Sequence, residues 1–392
     1  VSYNVTTGFN EAVERFDLLT GDEWVDIANE KRANINASPL ANRGVNTDWQ
    51  DAVLRRGATQ QHNLAISGGS EATKYFFSLG FTDQESVVKS NDLKRYAFRA
   101  NIDHSISKKV RIGTSLSYAY TEITGLNNGA NSLSGAIYNA TRALPNVPIF
   151  DPANTAFDGY NITANGATTG FGANLAGPDN NIPNIAYVLA NNFYRGRNHR
   201  LLGNAYAEVD IATGLTARSQ IGIDLTLADD FQTLSPKHGD GRSSNGSVSM
   251  AFNPALRWNW QNTLNYQTVI ADDHNINVTA GVEYQYTNFY AFSAAGTDFS
   301  DEFFRFRNLI SNSYNNQFSG GSFQEQGFDS YFARFNYSFK GRYLLSFAVR
   351  NDGISQLATE NRRGTFPGGS IGWRVSDEDF FNSSVISDFK LR

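Results

Sequence analysis

Apolar and polar residues alternate one for one along most of this chain, and any fold must satisfy that period of two. Successive side chains of a strand point to opposite faces, so the alternation describes strands with one apolar and one polar face. In Thr73–Gln84, Tyr75, Phe77, Leu79 and Phe81 share a face. Lys94–Ser105 sets Tyr96, Phe98, Ala100 and Ile102 against Arg95, Arg99, Asn101 and Asp103. The same pattern predicts strands at Ser2–Phe9, Gln60–Ser67, Val110–Thr121, Leu201–Ile211, Leu215–Ala228, Arg257–Gln267, Asn275–Thr287, Tyr331–Phe339, Arg342–Asp352 and Ser370–Ser376. That makes twelve, with the start of a thirteenth in Ser387–Arg392. Several are about twice the ~5–6 residues usual in globular strands and match the ~9–11 of a tilted membrane strand.

A soluble sandwich and a membrane barrel both produce alternation, but their connections differ. The predicted links alternate between longer and short, with Asn10–Thr59, Glu85–Leu93, Glu122–Arg200, Asp229–Leu256, Asn288–Ser330 and Gly353–Gly369 as the longer set. All large loops then leave one rim, as in outer-membrane barrels; a Greek-key sandwich has no reason to keep that order. The aromatics follow the same division. Tyr96, Tyr118, Tyr120, Trp258, Trp260, Tyr284 and Tyr286 fall near the long connections, and Tyr337, Tyr343 and Trp373 near the short turns. Two aromatic belts at membrane–water interfaces are expected from this, against the plainer reading that aromatic residues simply favour strands. Pro254 is expected just before its strand and Pro367 at a loop end, leaving every ladder its N–H groups.

The expected fold is therefore all-β, a partial transmembrane antiparallel β-barrel of about 12 strands with long outer loops carrying short helices. A soluble, secreted β-rich binding or adhesion protein is the alternative. Thr20-Gly21-Asp22-Glu23 reads as a capping box opening a helix near Thr20–Ala33. Thr47–Gln50 opens a second helix and Leu133–Ala143 holds a third, ended by Pro145. A net charge of −5 argues against nucleic acid as a partner. The absence of Cys removes disulfides and thiol chemistry.

The motifs for catalysis are weak. Gly368-Gly369-Ser370-Ile371-Gly372 matches G-x-S-x-G but continues as strand, where a nucleophile elbow needs a sharp turn into a helix. Ser105–Lys108 matches S-x-x-K inside a short turn. His62, His104, His199, His238 and His274 are scattered and read as solvated or lumen-facing. No paired carboxylates stand out, so no enzyme and no cofactor are expected. Asp151, Asn154 and Asp158 offer oxygens for Ca²⁺ in an outer loop, without EF-hand spacing. Arg95, Arg99, Arg111, Arg218, Glu283 and Arg334 would line the lumen or meet a plug.

Four stretches carry a resemblance: Arg15–Glu30, Thr47–Phe81, Arg334–Gly353 and Arg362–Phe381. They are similar, in order, to the SusC-like (RagA-like) TonB-dependent outer-membrane transporters of the Bacteroidetes. The family often has a Gly-Ser-Ser-Arg-Phe run where this chain has Gly353-Ile354-Ser355-Gln356-Leu357, so an outer loop departs from the pattern. The resemblance implies a barrel of ~22 strands, of which residues 1–392 would form one part, starting after the plug. It further implies a SusD-like surface lipoprotein as lid, TonB coupling through the plug, a lipid annulus, and oligosaccharide or peptide cargo. Tyr160 and Phe171 in the longest loop are the candidate cargo-contacting rings.

Overall fold

The computed structural model describes residues 1–40, 44–126, 129–171, 182–300, 313–382 and 385–392. Thirteen strands form one antiparallel sheet in sequence order. They are β1 (Ser2–Asn10), β2 (Gly57–Gly69), β3 (Thr73–Glu85), β4 (Asp92–Ser105), β5 (Val110–Thr124), β6 (Phe193–Ala212) and β7 (Leu215–Leu234). They continue with β8 (Ser247–Ile270), β9 (His274–Phe299), β10 (Tyr314–Phe339), β11 (Tyr343–Ile354), β12 (Arg363–Arg374) and β13 (Lys390–Leu391). Each strand pairs with its chain neighbour, so every predicted strand is present. Among the described residues no second sheet covers this one, which removes the sandwich reading.

Short turns join β2 to β3, β4 to β5, β6 to β7, β8 to β9 and β10 to β11, and the other connections are mostly longer, as expected. Three of these tight turns use left-handed backbone. Gly214 sits at φ 76°, and a Cβ there would lie 2.1 Å from the Gln267 carbonyl oxygen. Ala271 and Asp272 take positive φ between β8 and β9, and Lys340 does so between β10 and β11.

Three expectations need correction. The links Asp229–Leu256 and Asn288–Ser330 are largely strand, because β7 to β10 run on well past the predicted ends, β9 and β10 reaching 26 residues each. Gly, Ser and Asn on both faces there dilute the alternation without breaking the ladder. Pro254 and Pro367 lie inside β8 and β12. The β8–β9 ladder lapses between Phe252↔Phe292 and Ala255↔Phe289, where Pro254 has no N–H to give. Pro367 pairs in register with Val349, while β12's other side is paired only at Trp373 and Arg374, so its missing donor leaves no partner unmet. The third correction is a helix read as loop, Ile185–Asn191, capped by the Asn184 side chain.

The long connections carry α1 (Gly21–Ala33), α2 (Trp49–Val53), α3 (Ala136–Arg142) and α4 (Ile185–Asn191). Thr20 and Glu23 form the reciprocal capping box at α1. Asp48 caps α2 through the Gln50 N–H. Trp49, Val53, Val88, Ala136, Ala140, Ile185 and Val188 are buried together, so segments from three connections share one small core. The Trp49 indole N–H donates to the Leu144 carbonyl at 3.0 Å.

Candidate functional site

Residues directly opposite across an antiparallel ladder share a face, so the register assigns every side chain. One face is apolar and carries rows of rings. His62, Phe81, Tyr96, Tyr120 and His199 stand opposite one another across β2 to β6. Their successive ring centroids lie 6.0, 5.2, 6.2 and 4.7 Å apart. One step outward, on the same face, the row reads Asp83, Lys94, Glu122, Arg197 and Asp229. Rings give way to alternating charges within two residues, ~7 Å of strand, which marks the outer edge of the apolar band.

Trp258 opposite Tyr286 and Trp260 opposite Tyr284 extend the outer rings, and Tyr118 joins them beside His199. At the short-turn end Tyr343 stacks on Trp373 with centroids 6.5 Å apart, and Tyr337 stacks on His274 at 6.0 Å. All ten aromatics expected in two belts are thus on this face, seven toward one end and three toward the other.

The histidines differ from expectation. His62, His104, His199 and His274 lie on the apolar face, not the polar one, because each finds a hydroxyl there. Tyr3, Thr73, Tyr118 and Tyr337 hydrogen-bond their Nδ1 atoms at 2.7, 2.8, 2.8 and 2.7 Å. His238 is fully buried in the outer connections. Its Nε2 accepts the Asn184 N–H at 2.8 Å and its Nδ1 lies 2.7 Å from the Gly166 carbonyl. Burial pushes its pKa down to about 4, against the carbonyl bond that favours the proton; nearby Arg242 lowers it further.

The polar face holds charges in fixed pairs. Near the short turns Arg111 donates to Glu208 at 2.8 Å and forks onto Asp210 at 2.9 Å twice. Arg218 sits 3.4 Å from Glu208 with its guanidinium over Tyr206. Farther out Arg200 forks onto Asp224 at 3.1 and 3.0 Å, and Arg350 bridges Glu283 and Asp352 at 3.0 and 2.6 Å. Arg95, Arg99 and Arg334 share this face by register, so all six charges expected there are present. Sequence reasoning did not single out Asp224, Arg200, Arg257 or Arg350, although their alternating positions already put them on the polar face.

In the outer connections, Tyr160 packs edge-on against Tyr187 at 5.3 Å and tilted on Phe150 at 5.0 Å. It lines an open recess of about 450 Å³ with Phe150, Asp51 and Lys89. Phe171 is 47% exposed. Asp151 accepts the Ala153 N–H, and the Asn154 amide donates to the Tyr160 and Ile162 carbonyls. Among the described residues no group of three or more His, Asp or Glu is placed to hold a metal. Gly368–Gly372 is continuous strand within β12, with no turn to raise a nucleophile.

No family model matches the chain. It is similar along its whole length to TonB-dependent receptor P26 of Formosa agariphila, 27% identical and covering 38% of that protein. TonB-dependent receptor SusC of Bacteroides thetaiotaomicron is likewise 27% identical, with 100% of this chain and 38% of the relative covered. The RagAB peptide transporter shares the fold, with a TM-score of 0.73 at 20% identity over 97% of this chain and 45% of the other. The chain thus spans under half the length of the proteins it matches. These relatives are receptors and not enzymes. A single antiparallel sheet with one apolar and one charged face, similar from end to end to TonB-dependent receptors, makes this chain a stretch of outer-membrane β-barrel.

Proposed function

We propose that the protein containing this chain imports oligosaccharides across the outer membrane, driven by TonB through a plug and covered by a SusD-like lipoprotein. The observation that carries this reading is the pairing of a continuous ring-lined apolar face with a polar face holding paired charges. A wide barrel of this kind encloses a wet interior that lipid never touches. Similarity to SusC supports the lid and the energy coupling. Amide side chains such as Asn204, Asn259, Gln261 and Gln285 on the polar face suit hydroxyl-rich cargo. Phe171, exposed in the longest connection, and Tyr160 beside its recess are the proposed rings for stacking against sugar. Outer-membrane lipid packs on the ten belt aromatics.

Peptide cargo is the second reading, favoured by the fold shared with a peptide transporter. Deleting the gene and growing the cells on glycans and on peptides as sole carbon source tests both. Lost growth on one glycan with peptides unaffected supports oligosaccharide import. Lost growth on peptides alone selects the second reading, and growth unchanged on every source rejects import of either cargo.

A further inference from the structure

On the polar face of β6 to β9, two arginines share one aspartate. Arg200 holds Asp224 in a bidentate fork, and the Arg257 guanidinium lies 3.8 Å from the same carboxylate, beyond hydrogen-bond length. Asp224 is 19% exposed at its side chain, whereas Arg200 and Arg257 are 55% and 52% exposed. One carboxylate cannot neutralise two guanidiniums, so the cluster keeps an excess positive charge on open surface. Arg257 also lies over the Phe289 ring, 4.8 Å from its centroid, a cation–π contact that holds the guanidinium beside the ring.

Position separates this cluster from the other paired charges. Arg111 and Arg218 sit beside the short turns and are already balanced by Glu208 and Asp210. Arg200 stands about ten residues farther along β6, ~33 Å of strand toward the long connections. Arg257 is likewise near the outer ring row, one residue from Trp258. The cluster therefore faces the mouth of the lumen.

From these positions and charges we infer that Arg200 and Arg257 form a carboxylate-binding site at the outer mouth of the lumen, selecting acidic oligosaccharides such as uronate chains. The inference rests on the reading that the barrel takes up glycans. A guanidinium fork matches a carboxylate in a way a hydroxyl cannot. Phe289, beside it on the same face, offers a flat apolar surface to a sugar ring. The amides of Asn259 and Gln261, farther along β8 on this face, can meet the remaining hydroxyls. Arg257 is the primary contact, because its donors are not consumed by Asp224.

The test uses the full-length receptor extracted in detergent, with calorimetric titration of a tetragalacturonate, its carboxyl-reduced neutral tetramer, and tetraglutamate. Wild type should bind the uronate at least tenfold more tightly than the neutral tetramer, and added salt should shrink that preference. Arg257→Gln should lower the uronate-to-neutral ratio roughly tenfold, and Arg257→Lys should lower it less. Both sugars are measured on one sample, so a folding loss depresses both and leaves the ratio intact. An equal affinity for both sugars overturns the site and keeps the glycan reading. A ratio unmoved by Arg257→Gln while the neutral tetramer binds as tightly as it does to wild type overturns the site as well. Tighter binding of tetraglutamate overturns it in favour of peptide cargo, and binding of neither sugar overturns it together with glycan uptake.

Discussion

His238 shows what a single side chain does here. Its ring joins Gly166 and Asn184 of one outer connection to another connection, and only the neutral imidazole can accept the Asn184 N–H. The folded pKa of about 4 lies below the ordinary ~6.5, so between those values the unfolded loop binds a proton the folded loop does not. The clasp's contribution is therefore complete above ~6.5 and is lost as pH falls toward 4, to the extent of about 3 kcal/mol. The protection of the Asn184 amide, its exchange rate relative to the intrinsic rate at each pH, should fall over that window in the wild type. In His238→Ala that protection should be low and the same across the window, and protection that does not change with pH in the wild type would reject the clasp. Read from sequence as solvated or lumen-facing, His238 showed no sign of its burial, because its partners lie 54 and 72 positions away. The capping box at Thr20 and Glu23 was legible because both halves sit within one turn.

At the scale of an element, strand parity decides whether a side chain meets lipid or lumen. Leu264 is on the apolar face of β8, opposite Ala217 and Ala280, between the ring rows at its two ends. Thr263 is its immediate neighbour on the other face. Leu264→Arg should destabilise the barrel by about 2–4 kcal/mol, the cost of an arginine near the bilayer midplane, whereas Thr263→Arg should change little. Refolding into lipid vesicles, followed by the heat-dependent gel mobility of folded barrels, separates the two; equal effects would contradict the face assignment. Parity survives in sequence because it needs only neighbouring residues. Strand ends did not, since β9 and β10 leave the bilayer still hydrogen-bonded to each other and no hydrophobic contrast marks the exit. Pro254 was misplaced for a related reason: a ladder tolerates one missing donor where its partner strand lapses, which only the register reveals.

For the whole molecule, the order of long and short connections was legible, because it is a property of lengths alone. What the long connections build was not. Their shared core joins residues roughly a hundred positions apart, such as Trp49 and Leu144. The sheet is held by ladder hydrogen bonds and a lipid-facing surface, and the outer core by burial of a few side chains from α2, α3 and α4. These two parts draw on different forces and should open separately. Trp49 is the test, since it is buried and its indole N–H is bonded within the outer core. Trp49→Ala should cost that core about 3–5 kcal/mol, raising protease cleavage and hydrogen exchange across Thr47–Val53 and Ala136–Arg142. The exchange of β4 and β5, whose ladders lie in the sheet, should stay slow, because no ladder bond involves Trp49. Loss of protection in those strands to the same degree would show instead that the loops and the barrel wall unfold as one unit.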